Sequence, residues 1–300
     1  DFWLREGSAP LLLVAGGSGL APLLALLQEA AAAGVRRPVT LLFGARAPQD
    51  LYALDEIESI ARQWPDRFRV VPVLSAVPSG AEWTGERGLV TDRIPALFED
   101  GAHAYLCGPP AMVDAAMARW GQGDVMMNNA AVPGTDKYIW EQTPENFLST
   151  YEVDCMAAML CSKAVLNASM LERKSGVIIN FSSGAGWDGM VRKSHYSAAK
   201  GALRILTKTI AREVGVHGIR CNCVVPGAIA TDLMMNYVKR IAGEQVVEES
   251  VIHEQILAPC ALKAYSTPED VANLALFLAS DAARTITGQS INVDAGLIMV

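Results

Sequence analysis

A strand, a glycine-rich turn and the start of a helix follow one another in the segment Leu11-Leu12-Leu13-Val14-Ala15-Gly16-Gly17-Ser18-Gly19-Leu20-Ala21-Pro22. The apolar run is short and uninterrupted, which is typical of a strand buried on both faces of a parallel sheet. Glycines let a backbone approach a pyrophosphate closely, and the N-terminus of the next helix offers N–H donors and a positive dipole. The segment therefore predicts a βα unit whose turn (Gly16, Gly17, Ser18, Gly19) binds dinucleotide phosphates, although a plain tight turn has the same composition.

The same alternation of apolar runs and helical spacing continues to the end of the chain. Thr267-Pro268-Glu269-Asp270, for example, has the cap, the proline and the acidic first turn of a helix start. This rhythm predicts an α/β fold with a Rossmann-like, doubly wound parallel sheet. The predicted strands are Leu11–Ala15, Val39–Gly44, Arg69–Leu74, His103–Cys107, Val125–Asn128, Gly176–Ser182, Ile219–Val225 and Ser290–Val293.

Composition excludes several classes of protein. With 300 residues, 51% of them hydrophobic, the chain can bury a large core and is not a disordered or fibrous protein. The 25 Lys and Arg against 32 Asp and Glu leave a net charge of -7 without a basic patch, so nucleic acid is not an expected partner. Because no apolar run approaches the ~20 residues of a membrane span, no membrane partner is expected either.

The six cysteines lie in apolar segments without the paired spacings of a zinc site, so no metal is expected. Buried, reduced thiols are typical of a cytoplasmic protein, the location we expect. Cys221 and Cys223 lie two apart on a predicted strand and therefore share a face, where they are expected to pack as small apolar groups.

The sharpest group of chemical residues is Ser183, Tyr196 and Lys200. Tyr196 and Lys200 are four apart on a predicted helix and share a face, so that the ammonium can lower a phenol pKa that is ordinarily about 10. A phenol tuned in this way can exchange a proton with an alcohol or a carbonyl. Ser183 follows the strand that ends at Ser182 and can hydrogen-bond the same substrate oxygen. A Tyr-x-x-x-Lys pair alone also occurs on helix surfaces without any function.

Residues 1–120 resemble the nicotinamide-binding domain of the ferredoxin reductase family, in the branch that serves aromatic-ring dioxygenases. The resemblance lies in three motifs: Gly17-Ser18-Gly19-Leu20-Ala21-Pro22, Phe43-Gly44-Ala45-Arg46 with Asp50-Leu51-Tyr52, and Tyr105-Leu106-Cys107-Gly108-Pro109-Pro110. It implies that Arg46 lies near the adenosine ribose and that Cys107 and Gly108 face the nicotinamide. That family also has a flavin-binding barrel, of which only Asp1-Phe2-Trp3-Leu4-Arg5-Glu6 resembles the tail.

Residues 124–300 resemble the short-chain dehydrogenase/reductase family. The motifs are Asn128-Asn129-Ala130-Ala131 after a strand, Ser182-Ser183, Tyr196-Ser197-Ala198-Ala199-Lys200, and Pro226-Gly227 followed by Thr231. The resemblance implies that Ser183 orients substrate, that Tyr196 is the acid/base and that Lys200 binds the nicotinamide ribose and tunes Tyr196. It also implies that Asn128, Ile229 and Thr231 line the cofactor.

Two residues depart from that family's pattern. Asp154 stands where an asparagine is common, among the catalytic residues, and its negative charge is expected to oppose ionisation of Tyr196. Ala131 replaces a glycine and adds a Cβ near the cofactor. His195 is expected to point away from the Tyr196 and Lys200 face, towards the surface.

Together the resemblances predict a hybrid of two dinucleotide-binding halves, with a reductase-like portion at 1–120 and a catalytic portion at 121–300. The second portion begins at its family's fourth strand, so its own glycine turn is replaced by that of the first. If all eight strands joined one sheet, the extra strand would displace Tyr196 from the glycine turn by about 4.8 Å.

The leading hypothesis is an NAD(P)-dependent oxidoreductase that interconverts a small-molecule alcohol or diol and a carbonyl by hydride transfer. The alternatives are an NADH-binding fragment of an electron-transfer flavin reductase and a non-catalytic chimera with impaired dinucleotide binding. NAD is expected rather than NADP, because Asp50 would repel a 2′-phosphate, although Arg46 would attract one.

A homodimer or homotetramer is expected from the apolar helices Tyr151–Leu171 and Ser197–Val214, unless these residues simply pack on the sheet. The residues concerned are Met156, Met159, Leu160, Leu203, Leu206 and Ile210.

Overall fold

In the computed structural model the chain divides into two compact units, unit 1 (Asp1–Gln122) and unit 2 (Gly123–Val300). The structure describes residues 7–16, 20–77, 83–97, 102–107, 110–120 and 123–300. The expectations for Gly17, Ser18, Gly19 and Gly108 lie outside these described residues.

Unit 1 contains a parallel sheet in the order β4-β3-β2-β1-β5. Its strand β1 lies between β2 and β5 and is almost completely buried, from Leu11 to Ala15, because helices cover both of its faces. The strands are β1 (Leu11–Gly16), β2 (Val39–Ala45), β3 (Phe68–Leu74), β4 (Glu86–Arg87) and β5 (His103–Cys107). The helices are α1 (Leu20–Ala32), α2 (Leu54–Gln63), α3 (Ile94–Leu97) and α4 (Pro110–Trp120).

Unit 2 contains a second parallel sheet, in the order β6-β7-β8-β9. Its strands are β6 (Val125–Asn128), β7 (Gly176–Phe181), β8 (Ile219–Pro226) and β9 (Ser290–Val293). Its helices are α5 (Pro144–Tyr151), α6 (Ala157–Val165), α7 (Leu171–Arg173), α8 (Ala185–Asp188), α9 (Ser194–Val214), α10 (Asp232–Gln245), α11 (Glu249–Leu257) and α12 (Pro268–Ala279). Helices α5, α6 and α7 follow one another through two π-helical turns, Glu152–Met156 and Leu166–Met170.

The eight predicted strands are confirmed to within a residue at each end, as is the α/β fold class. Strand β4 was not predicted, because two exposed residues carry no alternation of apolar side chains. The described strands are hydrogen-bonded into two sheets, so the condition that all eight join one sheet is not met among them. The cap of α12 forms as predicted, since Asp270 N donates to Thr267 Oγ1 at 3.2 Å and Thr267 N donates to Asp270 Oδ2 at 2.7 Å.

Cys221 and Cys223 are fully buried on one face of β8, as the alternation of side chains on a strand predicts. Burial raises the pKa of both thiols, that of Cys223 to about 11. Both side chains are therefore neutral packing groups at physiological pH.

Candidate active site

The three predicted residues Ser183, Tyr196 and Lys200 come together in unit 2. Strand β7 ends at Phe181 and delivers Ser183 at its carboxyl end, where parallel sheets place their ligands. Helix α9 begins at Ser194, so Tyr196 lies in its first turn and Lys200 one turn further along the same face. The Ser183 hydroxyl lies close enough to the Tyr196 phenol to lower its pKa. The Lys200 Nζ lies 5.5 Å from the centre of the Tyr196 ring.

Lys200 is held inside the unit by two oxygen partners. Its Nζ donates to the carbonyl of Phe181 at 3.0 Å and forms an ion pair with Asp154 Oδ2 at 3.4 Å. The side chains of Lys200 and Asp154 are 2% and 0% exposed, so the pair is screened little by solvent. The backbone of Lys200 is anchored as well, because Ser182 Oγ donates to its carbonyl at 2.8 Å. The ammonium is thus fixed beside the phenol.

Asp154 owes its position to a local change in helix winding. It lies in the π-helical turn Glu152–Met156, and such turns redirect side chains and are frequent at functional sites. Its Oδ1 accepts a hydrogen bond from Val132 N at 2.8 Å, while Oδ2 faces Lys200. One carboxylate therefore ties the loop after β6 to helix α9.

Burial sets the protonation of this group of side chains. Desolvation raises the pKa of the Tyr196 phenol, and the Asp154 carboxylate raises it further, whereas the hydrogen bond from Ser183 lowers it. Desolvation lowers the pKa of Lys200, and the nearby Asp154 carboxylate partly reverses this effect. Desolvation also raises the pKa of Asp154, and the Lys200 ammonium partly reverses that effect. The expected opposition of Asp154 to Tyr196 ionisation therefore has a structural basis.

The expectation that His195 is a surface residue is wrong. Its side chain is 1% exposed and lies against the chain that follows β6. His195 Nε2 is 3.0 Å from the Pro133 carbonyl, and Nδ1 is 3.0 Å from Gln142 Nε2. These contacts identify the Nε2–H tautomer, which donates to Pro133 and accepts from Gln142. His195 thus supports the loop on one side of Tyr196.

The other predicted residues of unit 2 make mainly structural contacts. The Asn128 side-chain amide donates to Asn180 Oδ1 at 2.8 Å and to Ser162 Oγ at 3.1 Å, inside the unit. Ile229 forms an isolated bridge with Ser266. Thr231 caps α10, with its Oγ1 accepting from Met234 N.

In unit 1, the described residues of the predicted site lie at the carboxyl ends of adjacent strands. Gly16 ends β1 and Cys107 ends β5, and Cys107 pairs with Ala15 across the ladder. Arg46 directly follows β2 and is exposed. Nearby, Asp50 Oδ2 accepts a hydrogen bond from Ala47 N at 3.0 Å. This edge of the sheet is where a dinucleotide binds in doubly wound folds.

Sequence reasoning missed Lys193 and Asp136. The Lys193 Nζ lies 6.0 Å from the centre of the Tyr196 ring and 2.5 Å from Asp136 Oδ1. The signal was present for Lys193, because it stands at the N-cap of α9, three residues before Tyr196. Asp136 had no such signal, since only the folded loop brings it to α9.

No group of three or more His, Cys, Asp or Glu in the described part of the chain is arranged to hold a metal ion. Among the described helices, none has the length and apolarity that crossing a bilayer requires.

Two family models match the chain. The model described as enoyl-(acyl carrier protein) reductase covers residues 110–298, and the oxidoreductase NAD-binding domain covers residues 13–118. The first portion is 47% identical over 117 residues to XylA, the electron transfer component of a xylene/toluene monooxygenase from Pseudomonas putida. That match covers 39% of this chain and 33% of XylA, so the chain spans about a third of that relative.

The second portion is similar to a 3-oxoacyl-[acyl-carrier-protein] reductase of Synechocystis. The two are 36% identical over 189 residues, which are 63% of this chain and 70% of that protein. The chain is 34% identical over 184 residues to a 3alpha-hydroxysteroid dehydrogenase of Mediterraneibacter gnavus, covering 61% of this chain and 68% of that one.

Solved structures share the fold. Levodione reductase aligns with a TM-score of 0.65 at 24% identity, over 97% of this chain and 98% of its own. L-Sorbose reductase from Gluconobacter frateurii, solved with NADPH and L-sorbose, aligns with a TM-score of 0.66 at 23% identity, over 98% of each chain. The first portion thus carries an oxidoreductase NAD-binding domain, and with residues 110–298 the chain belongs to the short-chain dehydrogenase/reductase family of NAD(P)-dependent oxidoreductases.

Proposed function

We propose that the chain interconverts an alcohol or diol and the corresponding carbonyl compound, with Tyr196 as the acid/base. The observation that carries this proposal is the grouping of Ser183, Tyr196 and Lys200, in which the Lys200 Nζ lies 5.5 Å from the centre of the Tyr196 ring. In the direction of reduction, Tyr196 donates its hydroxyl proton to the carbonyl oxygen, and in oxidation it takes that proton back. Ser183 holds the substrate oxygen, and Lys200 stabilises the tyrosinate while the proton is away.

A nicotinamide dinucleotide supplies or accepts the hydride when it is bound. The described contacts of Lys200 use two of the three N–H donors of an ammonium, which leaves one for a ribose hydroxyl. The residues of unit 2 therefore fit such a cofactor. We assign dinucleotide binding to residues 1–120, through Gly16, Gly17, Ser18, Gly19, Arg46, Cys107 and Gly108. Proton transfer is assigned to residues 121–300.

NAD is the proposed cofactor, with NADP as the competing one. Asp50 accepts a hydrogen bond from Ala47 N in the turn after Arg46. Its carboxylate would repel the 2′-phosphate of an NADP bound near Arg46. Calorimetric titration with each dinucleotide tests both the preference and the existence of a binding site. Tighter binding of NADP would reverse the assignment. Binding of neither, at concentrations up to ~100 μM, would favour the non-catalytic alternative.

The central experiment replaces Tyr196 with phenylalanine, which removes the hydroxyl and keeps the ring. We expect activity to fall to background on any alcohol or carbonyl that the parent accepts, with an unchanged far-ultraviolet circular dichroism spectrum. Ser197→Ala, at the next position of the helix, is the matched control for loss of a hydroxyl. Parent-like turnover in Tyr196→Phe would remove Tyr196 from the mechanism.

We also propose a homodimer or homotetramer through helices α5, α6 and α9. Leu203 and Ile210 pack inside unit 2 and do not contribute. The exposed apolar side chains available to a second copy are Leu148, Tyr151, Met156, Leu160 and Ile205. Self-complementary pairing is the commonest way for identical chains to cover such a surface.

A further inference from the structure

Helices α10 and α11 form an excursion of unit 2, which we define as residues 231–265. Its two ends are joined at the base, because Ala230 N donates to the Ser266 carbonyl at 2.9 Å and Ser266 N donates to the Ala228 carbonyl at 3.1 Å. The excursion has a hydrophobic cluster of its own, in which Val238, Ala242 and Ile252 are the buried members. All of the side chains packed on this cluster also belong to α10 or α11. The excursion therefore has a hydrophobic core that is separate from the core around the sheet.

The base of the excursion lies beside the catalytic residues. It leaves the sheet at the end of β8, where the Pro226 carbonyl accepts from Gly184 N at 3.0 Å, directly after Ser183. Further along, Arg240 of α10 contacts the loop that follows β6: its Nη2 lies 3.2 Å from Asp136 Oδ2. The excursion thus starts next to Ser183 and is bound again by the loop next to Tyr196.

Asp136 joins this ion pair to the catalytic helix. Its other oxygen lies 2.5 Å from Lys193 Nζ, which also donates to the Pro133 carbonyl at 3.2 Å and lies 6.0 Å from the centre of the Tyr196 ring. The side chains of Asp136 and Lys193 are 22% and 14% exposed, so this part of the network is half-buried. One carboxylate therefore connects α10, the loop after β6 and the start of α9.

We propose that Asp136 is a positioning residue, which holds the α10–α11 excursion against the substrate side of Tyr196 by pairing with Lys193 and Arg240 at once. This inference rests on the proposed function, in which substrate lies between Ser183 and Tyr196. A carboxylate that pairs with two cations loses less conformational freedom than two carboxylates in separate ion pairs. The pair with Lys193 already fixes the Asp136 side chain, so the pair with Arg240 requires little further ordering of it. Loss of the carboxylate charge removes the contact between α10 and the loop after β6, whereas the base of the excursion and the hydrogen bonds of Ala261 and Leu262 to Gly296 and Ala295 remain.

The test uses Asp136→Asn and Arg240→Gln in the full chain. The matched control is Glu244→Gln, which removes the other carboxylate partner of Arg240, at 2.7 Å within α10, without touching the loop. Amide hydrogen exchange reads the attachment of the excursion directly and needs no substrate. We expect exchange in residues 232–257 to rise roughly two- to fivefold in both test variants, the range of a partly exposed ion pair. The control and Tyr196→Phe are expected to exchange like the parent.

Kinetics provide the second readout. Asp136→Asn should raise KM by roughly two- to fivefold, and this effect should be larger than its effect on kcat. The double variant Asp136→Asn/Arg240→Gln should differ little from either single variant, because both substitutions remove the same interaction. Parent-like exchange in Asp136→Asn and Arg240→Gln would overturn the proposal, as would additive effects in the double variant. An active Tyr196→Phe variant would instead overturn the proposed function, and the exchange result would still decide whether Asp136 attaches the excursion.

Discussion

Replacement of Asp154 by asparagine should make Tyr196 easier to ionise. Asparagine keeps the size of the side chain and an oxygen that can accept from Val132 N, but it removes the carboxylate that faces Lys200. That carboxylate raises the pKa of Tyr196, so its removal must lower it. The 3.4 Å from Asp154 to Lys200 and the 5.5 Å from Lys200 to the Tyr196 ring place the charge no more than about 9 Å from the ring centre. At an effective dielectric constant of about 20, the interaction is about 2 kcal/mol, so its loss favours the tyrosinate and lowers the pKa of Tyr196.

The assay is the near-ultraviolet absorbance of tyrosinate during an alkaline titration, which requires no substrate. Tyr196→Phe is made in both the parent and the Asp154→Asn protein, and its titration is subtracted from that of the matching protein with Tyr196. Each difference contains the absorbance of Tyr196 without that of the six other tyrosines. Asp188→Asn, at an exposed position of unit 2, controls for the change in net charge. For alcohol oxidation, in which the tyrosinate accepts the proton, the rise of the rate with pH should move to lower pH together with the Tyr196 midpoint. An unchanged or higher Tyr196 midpoint would refute the reasoning, because it would mean that the uncompensated Lys200 loses its proton first.

Three further predictions concern stability and assembly. Asn180→Ala should cost about 1–3 kcal/mol in chemical denaturation, because it strands the buried amide of Asn128 and the hydroxyl of Thr207; a loss near zero would contradict this role. Gly186→Ala should lower the free energy of unfolding by about 1–3 kcal/mol, since a Cβ there would lie 2.8 Å from the Lys200 carbonyl carbon. In the control Gly243→Ala, no atom lies within 4 Å of the new Cβ, so the free energy of unfolding should stay the same or rise slightly. Light scattering should give at least twice the 32.1 kDa of one chain, and Ile205→Glu should lower that mass; a monomeric parent would exclude the interface.

The strands and the grouping of Ser183, Tyr196 and Lys200 were predictable because their signals are local. An uninterrupted run such as Ile178-Ile179 marks a buried strand wherever the rest of the chain goes, and both residues are fully buried. Tyr196 and Lys200 share a face through the winding of one helix, so their proximity needs no tertiary information.

The rest of the site depends on contacts that are distant along the chain. His195 is buried because Pro133 and Gln142 close over it, and no feature next to His195 in sequence indicates that. The pairing of Asp154 with Lys200 likewise spans 46 positions, and helix winding alone does not place Asp154 inside. Asp136 becomes relevant only when α10 returns to the loop.

The π-helical turns at Glu152–Met156 and Leu166–Met170 make the α5 to α7 segment sensitive to chain length as well as to side-chain chemistry. Each turn accommodates about one residue more than an α-helical turn, so it shifts the angular phase of everything beyond it by roughly 100°. The segment buries one side, with Asp154, Ala158, Cys161 and Val165 inside, whereas Tyr151, Met156 and Leu160 are exposed. Deleting one residue from Glu152–Met156 would restore regular winding and turn either Asp154 or the whole of α6 to a different side. In this segment, a one-residue gap in an alignment therefore signifies a change in the active site, whereas the same gap in an exposed loop does not.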